Sequence, residues 1–249
     1  MIRTLTVVSL LAAACGGASA GLIAESVSNL QHAGERTIDV HGNLVSAGRG
    51  NPIVYSNLQS GFTADRAFSS TDLTAVFGDQ LTTAGTGTLQ DFSFNLFNSG
   101  TSAGTLTSAT VNFSFFRVSD GGALGSFNVN TGTIALNAGF FTTFNVTGLG
   151  GLGVNLDSTD IIVLQTVTAL TGAANRLGVV STTPNSVGSA VPQLYIDAST
   201  VGGGVPGFYN ITANGVAVPF TVGYQISVPT PGAFALLGLG GLMTARRRR

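Results

Sequence analysis

The run Phe220-Thr221-Val222-Gly223-Tyr224-Gln225-Ile226-Ser227-Val228 alternates without a break, with apolar or aromatic side chains at even positions and small or polar ones between them. A strand turns successive side chains to opposite faces, so this run predicts one face in a core and Thr221, Gly223, Gln225 and Ser227 on the other, toward water. Working outward, Phe92, Phe94 and Leu96 alternate with Ser93 and Asn95, and Val111, Phe113 and Phe115 with Asn112 and Ser114. Further strands are expected at residues 73–77, 124–129, 140–146, 160–170, 177–181 and 193–197. Turn chemistry separates the runs at Asn98-Ser99-Gly100, Asp120-Gly121-Gly122 and Asn137-Ala138-Gly139. Asn214-Gly215, between runs at 208–213 and 216–220, is a type I′ hairpin signal, because both central residues of that turn need φ > 0. Many short strands, each with one apolar face, need a second layer to cover them. The expected fold is all-β, an antiparallel β-sandwich of jelly-roll-like form. Gly42-Asn43, Gly48-Arg49-Gly50 and Pro52 break any long element early in the chain.

The two ends differ from this middle. Arg3, an apolar stretch from Leu5 to Ala14 and the small residues Ala18 and Ala20 predict a signal peptide over residues 1–20, cut before Gly21 by signal peptidase. The apolar stretch is shorter than the roughly 20 residues that span a bilayer as a helix. Cys15 offers an alternative, lipoprotein processing, with cysteine as the new first residue. It is the only cysteine, so cleavage at Gly21 leaves a mature domain without disulfides or thiolates. At the other end no charge occurs from Ala198 to Ala245, and then Arg246, Arg247, Arg248 and Arg249 follow together. Pro229-Thr230-Pro231 marks the boundary with the domain, and a Leu/Gly-rich stretch leads to the arginines. Four arginines do not cross a hydrocarbon core cheaply, so that end is expected to stay in the cytoplasm, with a short transmembrane helix before it and the domain outside.

Those three parts (proline-x-proline, short apolar helix, terminal arginines) resemble the PEP-CTERM sorting tail, here with Thr230 where glutamate is commonest. The resemblance covers residues 228–249. It implies that an exosortase-type membrane transpeptidase recognises and cuts the tail. It also implies export to the cell surface or extracellular space of a bacterium that often makes exopolysaccharide. The predicted layout is signal peptide 1–20, exported β-sandwich 21–228 and sorting tail 229–249.

Composition narrows the function of residues 21–228. All eleven acidic residues lie there against five arginines, a formal charge of −6, and the chain has no lysine. Nucleic acid is excluded as a partner, since its binding relies on cations displacing counterions. Gly148-Leu149-Gly150-Gly151-Leu152-Gly153 matches GxGxxG, but Val154-Asn155-Leu156-Asp157 follows it where a dinucleotide site needs a helix, so it reads as a loop. His32 and His41, with Glu35 and Asp39, could offer one cation two ligands if 39–41 is extended, and two ligands do not make a site. Asp120, Asp157 and Asp160 read as turn formers, short of the six to eight oxygens that calcium takes. Only Glu25 and Glu35 are glutamates, and tryptophan is absent, which weakens both glycoside hydrolysis and sugar stacking. Tyr55, Tyr195, Tyr209 and Tyr224 could substitute as stacking residues, though they read as packing residues with hydroxyls at the sheet edge. Thr86/Thr88, Thr105/Thr107 and Thr131/Thr133 hint at a hydroxyl array of the ice-binding kind, but their intervals are irregular. The expectation is a surface-sorted or matrix protein that is not an enzyme, has no cofactor or metal, and is associated with exopolysaccharide. The alternative is a carbohydrate-binding module, followed by a secreted hydrolase or an ice-binding protein.

Overall fold

The computed structural model describes residues 22–24, 30–46, 50–58, 63–99, 105–198, 205–213 and 215–229. The signal-cleavage residues Ala18, Ala20 and Gly21 and the sorting residues Thr230, Pro231 and Arg246 to Arg249 lie outside them. The described chain is all-β, with one short 3-10 turn at Leu149–Gly151. In chain order the strands are β1 (Leu22–Ala24), β2 (Gln31–Ile38), β3 (Ile53–Ser56), β4 (Thr63–Ser70), β5 (Val76–Thr82) and β6 (Gly87–Thr88). Next come β7 (Asp91–Asn98), β8 (Leu106–Arg117), β9 (Ala123–Asn130), β10 (Phe140–Val146), β11 (Asn155–Leu156) and β12 (Asp160–Gly172). The last six are β13 (Leu177–Thr183), β14 (Ser189–Ala190), β15 (Leu194–Asp197), β16 (Gly207–Ala213), β17 (Val216–Val218) and β18 (Tyr224–Ser227).

Nine strands form the larger sheet in the order β1-β16-β15-β5-β12-β8-β9, with β14 added to β5 and β17 to β16. Seven form the smaller sheet, β2-β10-β7-β13-β4, with β18 lying between β7 and β3. Phenylalanines join the two layers. Phe94 of β7 meets Phe113 of β8 at 4.6 Å between ring centroids, and Phe92 meets Phe113 at 4.8 Å and Phe127 of β9 at 5.9 Å. Each such buried side chain stabilises the fold by roughly 1.5–3 kcal/mol, and one continuous core runs from β2 to Val228. Two mostly antiparallel sheets facing each other across an aromatic core are consistent with a β-sandwich.

Several expected strands are found nearly residue for residue, β10 and β15 among them. The expected hairpin closes as Ala213 pairs with Val216 across residues 214–215, with Gly215 at φ +78°. Three local expectations are corrected. The strand expected at 73–77 begins only at Val76, because Asp72 caps a turn by accepting the Thr74 N–H and hydroxyl. Two pairings are parallel, β1 with β16 and β2 with β10. Their partners lie more than a hundred residues apart, beyond the reach of any local pattern.

The third correction concerns residues 220–228. Phe220, Val222, Tyr224, Ile226 and Val228 are core residues, as their alternation predicts. Regular pairing is confined to β18, however, and Val222 makes only an isolated bridge with Ser181. The opposite face is largely covered too, with only Gln225 half-buried. Thr221 is buried, its N–H bonded to the Ser181 hydroxyl and its own hydroxyl to the Thr182 carbonyl, and Ser227 is buried between Ile53 of β3 and Asp91 of β7.

Candidate functional site

Two places concentrate polar chemistry: the outward face of the larger sheet and a polar cluster inside the core. The outward face follows from alternation. Val111, Phe113 and Phe115 of β8 point inward, which turns Thr110, Asn112 and Ser114 out. Ser126, Asn128 and Asn130 of β9 and Thr166 and Thr168 of β12 join them. Register aligns these into rows across three strands, Thr166 beside Asn112 beside Asn128, and Leu164 beside Ser114 beside Ser126. The amides interlock: Asn112 Nδ2 donates to Asn128 Oδ1 at 2.9 Å, and Ser114 Oγ donates to Asn112 Oδ1 at 3.1 Å. The result is a fixed lattice of amides and hydroxyls, none charged. On the same face, Ile162, Leu164 and Tyr195 form a small buried cluster against Val76, Phe116, Val118 and Phe208. Gly78 allows it, because a Cβ there would stand 2.4 Å from Leu164 Cδ2. Burial pushes the Tyr195 phenol up to about 12, with the Asp197 charge adding to it.

The interior cluster was not legible as a site. Asp79 occupies an inward position of β5, between Phe77 and Leu81, and is fully buried. Its Oδ2 accepts the Val222 backbone N–H at 2.9 Å, while Oδ1 has no partner. Gln165, at an inward position of β12, accepts the Tyr224 hydroxyl at 3.0 Å, and the Tyr55 hydroxyl has no partner. Burial drives the Asp79 carboxyl well above the usual carboxylate range, against the pull of the Val222 and Gln80 N–H groups. Burial and then the Asp79 charge raise the Tyr55 and Tyr224 phenols. A carboxyl among phenols and an amide holds its proton more readily than it gives it up. A sequence signal existed: in 76–82 the carboxylate sits in apolar register, which an expected strand at 73–77 hides.

The other sequence-predicted residues fall apart or find local partners. Asp39 is not extended toward His41. It closes a turn, accepting the His41 and Asn43 backbone N–H groups and the Asn43 side chain, and the Asn43 side-chain bond leads in lowering its pKa. Gly42, at φ +85°, completes that turn where a Cβ would strike Gly132 N at 2.5 Å. His32, on β2, stacks on Phe141 at 4.6 Å and lies 3.1 Å from Thr143 Oγ1, while Glu35 meets the Asn145 amide at 3.4 Å. Asp157 and Asp120 face one cation, Arg117, at 2.8 and 2.6 Å. The Arg117 side chain leads in lowering the Asp157 pKa, and the Gly122 backbone N–H leads for Asp120. Asp160 accepts the Thr82 hydroxyl instead. Among the described residues no three His, Cys, Asp or Glu side chains group closely enough to hold a metal.

The GxGxxG stretch is a 3-10 turn with Leu149 buried, leading into β11. All four tyrosines are buried, Tyr55 and Tyr224 with hydroxyls inside the core rather than at a sheet edge, and Tyr209 donating to the Val205 carbonyl. Thr107 pairs with Thr171 through their hydroxyls at 3.0 Å, whereas Thr105 turns to Asn137 and Thr131 to the Ala109 N–H. The threonine pairs therefore make no common array. No helix among the described residues is long and apolar enough to cross a membrane. No protein family and no curated protein matches this chain.

Proposed function

We propose that the chain is an exported, non-enzymatic, jelly-roll-like β-sandwich, sorted by its tail to the cell surface or extracellular matrix and working there beside exopolysaccharide. The observation that carries this reading is the junction between domain and tail. Strand β18 runs between two neighbours to Ser227, Val228 is in the core, and the half-buried Pro229 opens the proline motif. A folded body that reaches the sorting motif without a spacer suits a domain held close to the surface that displays it. In this scheme signal peptidase frees Gly21, the exosortase-type transpeptidase acts at Pro229-Thr230-Pro231, and Arg246 to Arg249 hold the tail in the membrane until it does. Replacing those four arginines with Ser should leave unprocessed or mislocalised protein on cell fractionation. Unchanged fractionation and unchanged mature mass would overturn the reading.

A second reading, a carbohydrate-binding module, is favoured by the uncharged amide and hydroxyl lattice on β8, β9 and β12. Buried tyrosines give it no stacking platform among the phenols. Affinity electrophoresis in gels containing neutral glycans separates the two. Retardation that Asn128→Ala abolishes supports the module, and unaltered mobility in every glycan removes it.

A further inference from the structure

The segment that precedes the tail is fastened to the rest of the molecule by side-chain hydrogen bonds at Thr221, Val222, Tyr224 and Gln225. Thr221 donates its hydroxyl to the Thr182 carbonyl at 2.9 Å, and its N–H goes to Ser181 Oγ. Asn57 grips two residues at once, donating from Nδ2 to the Val222 carbonyl at 2.9 Å and accepting the Tyr224 N–H on Oδ1 at 2.8 Å. All of these ties come from the smaller sheet. Two groups reach across the core to the larger sheet: the Tyr224 hydroxyl to Gln165 on β12, and the Val222 N–H to Asp79 on β5. The second of these ties ends on a fully buried carboxyl whose other oxygen has no partner.

The groups that face Asp79 are the Tyr55 phenol from β3 and the Tyr224 phenol from β18, acids themselves that supply no positive charge. From β12, Val163 pairs with Asp79 in the ladder, and from its own strand Gln80 gives a backbone N–H. An ionised carboxylate here would be a charge taken out of water without a counterion, which costs far more than the same group as a neutral acid. Opening the segment would let water reach it.

We propose that Asp79 is a proton-controlled fastener of the C-terminal segment: as the neutral acid it holds Val222 and closes residues 220–228 onto the core, and on losing its proton it loosens them. Acid tightens the junction and alkali opens it, a regulation of access to the tail that rests on the tail-sorted reading above. The opening itself is a property of the folded domain, so it can be tested apart from sorting.

The test is hydrogen exchange by mass spectrometry on the full chain in detergent, from about pH 6 to about pH 9, corrected for the intrinsic exchange rate. Residues 220–228 should lose at least about tenfold in protection over that range. They should also stay less protected than residues 111–115 throughout, because their opening is local. Asp79→Asn, which keeps an acceptor for Val222 and cannot ionise, should show a flat profile. If that variant does not fold, isotope-edited infrared of the wild type decides instead, through a carboxylic-acid C=O band at pH 7 that disappears as the segment opens. The proposal is overturned if Asp79→Asn keeps the wild-type pH slope. Equal protection of the two segments at every pH, or a carboxylate band at pH 7, also overturns it.

Discussion

Asp79 shows how a single residue can set a property of the whole fold. Its strand places Phe77 and Leu81 on either side of it, facing the core, so a carboxyl there is an exception to the pattern. The folded-state pKa stands above the unfolded value of about 3.9, so above that pH the native state holds a proton that the unfolded chain releases. Stability is then fullest in mild acid and falls as pH rises toward the folded-state pKa. Asp39, Asp120 and Asp157 act in the opposite sense, with pKa values held low, but their contribution is lost only below about pH 4 and is small at exposed sites. Denaturant midpoints should therefore be higher near about pH 5 than near about pH 8, and Asp79→Asn should remove most of the difference. A midpoint that rises toward pH 8 in the wild type would contradict the assignment.

At the scale of the element, the segment 220–228 was legible in half. Its alternation correctly marks Phe220, Val222, Tyr224 and Ile226 as core, since a period of two is a local property. What covers Thr221 on the other face is not local. Asn57, just past β3, and Ser181 and Thr182 of β13 lie far away in sequence, and no alternation could announce them. Thr221→Asp is thus expected to destabilise severely, alongside Ile226→Asp, because both place a carboxylate among buried neighbours. Asn57→Ala removes three buried side-chain bonds and leaves the Tyr224 N–H without its partner, a loss of about 2–4 kcal/mol in thermal or denaturant unfolding. A Thr221→Asp protein as stable as the wild type would mean that this face is open after all. The same division applies to the candidate sites. Asn112, Ser114 and Asn128 could be placed on an outward face from alternation, but their alignment into rows required the register of β8 with β9 and β12.

For the whole molecule, the strand order matters more than any one pairing. β18 is the last strand of the described chain, yet it lies inside the smaller sheet, paired with β7 on one side and β3 on the other. A chain ending at Val228 should melt cooperatively without detergent, whereas one ending at Gly215 should not fold, having lost an interior strand and five core side chains. Equal melting of the two would show the segment to be dispensable. The parallel pairs of β2 with β10 and β1 with β16 add further partners from opposite parts of the chain.

An interior strand that is made last also sets an order of events in time. During synthesis β3 and β7 emerge early, but the gap between them stays open until residues 224–227 arrive, so the smaller sheet cannot close from the N-terminal side. Closure of that sheet must wait for residues 224–227, and contacts so distant along the sequence form slowly because the loops that join them are entropically expensive to close. The smaller sheet therefore gains this interior strand only once residues 224–227 are free to insert between β3 and β7.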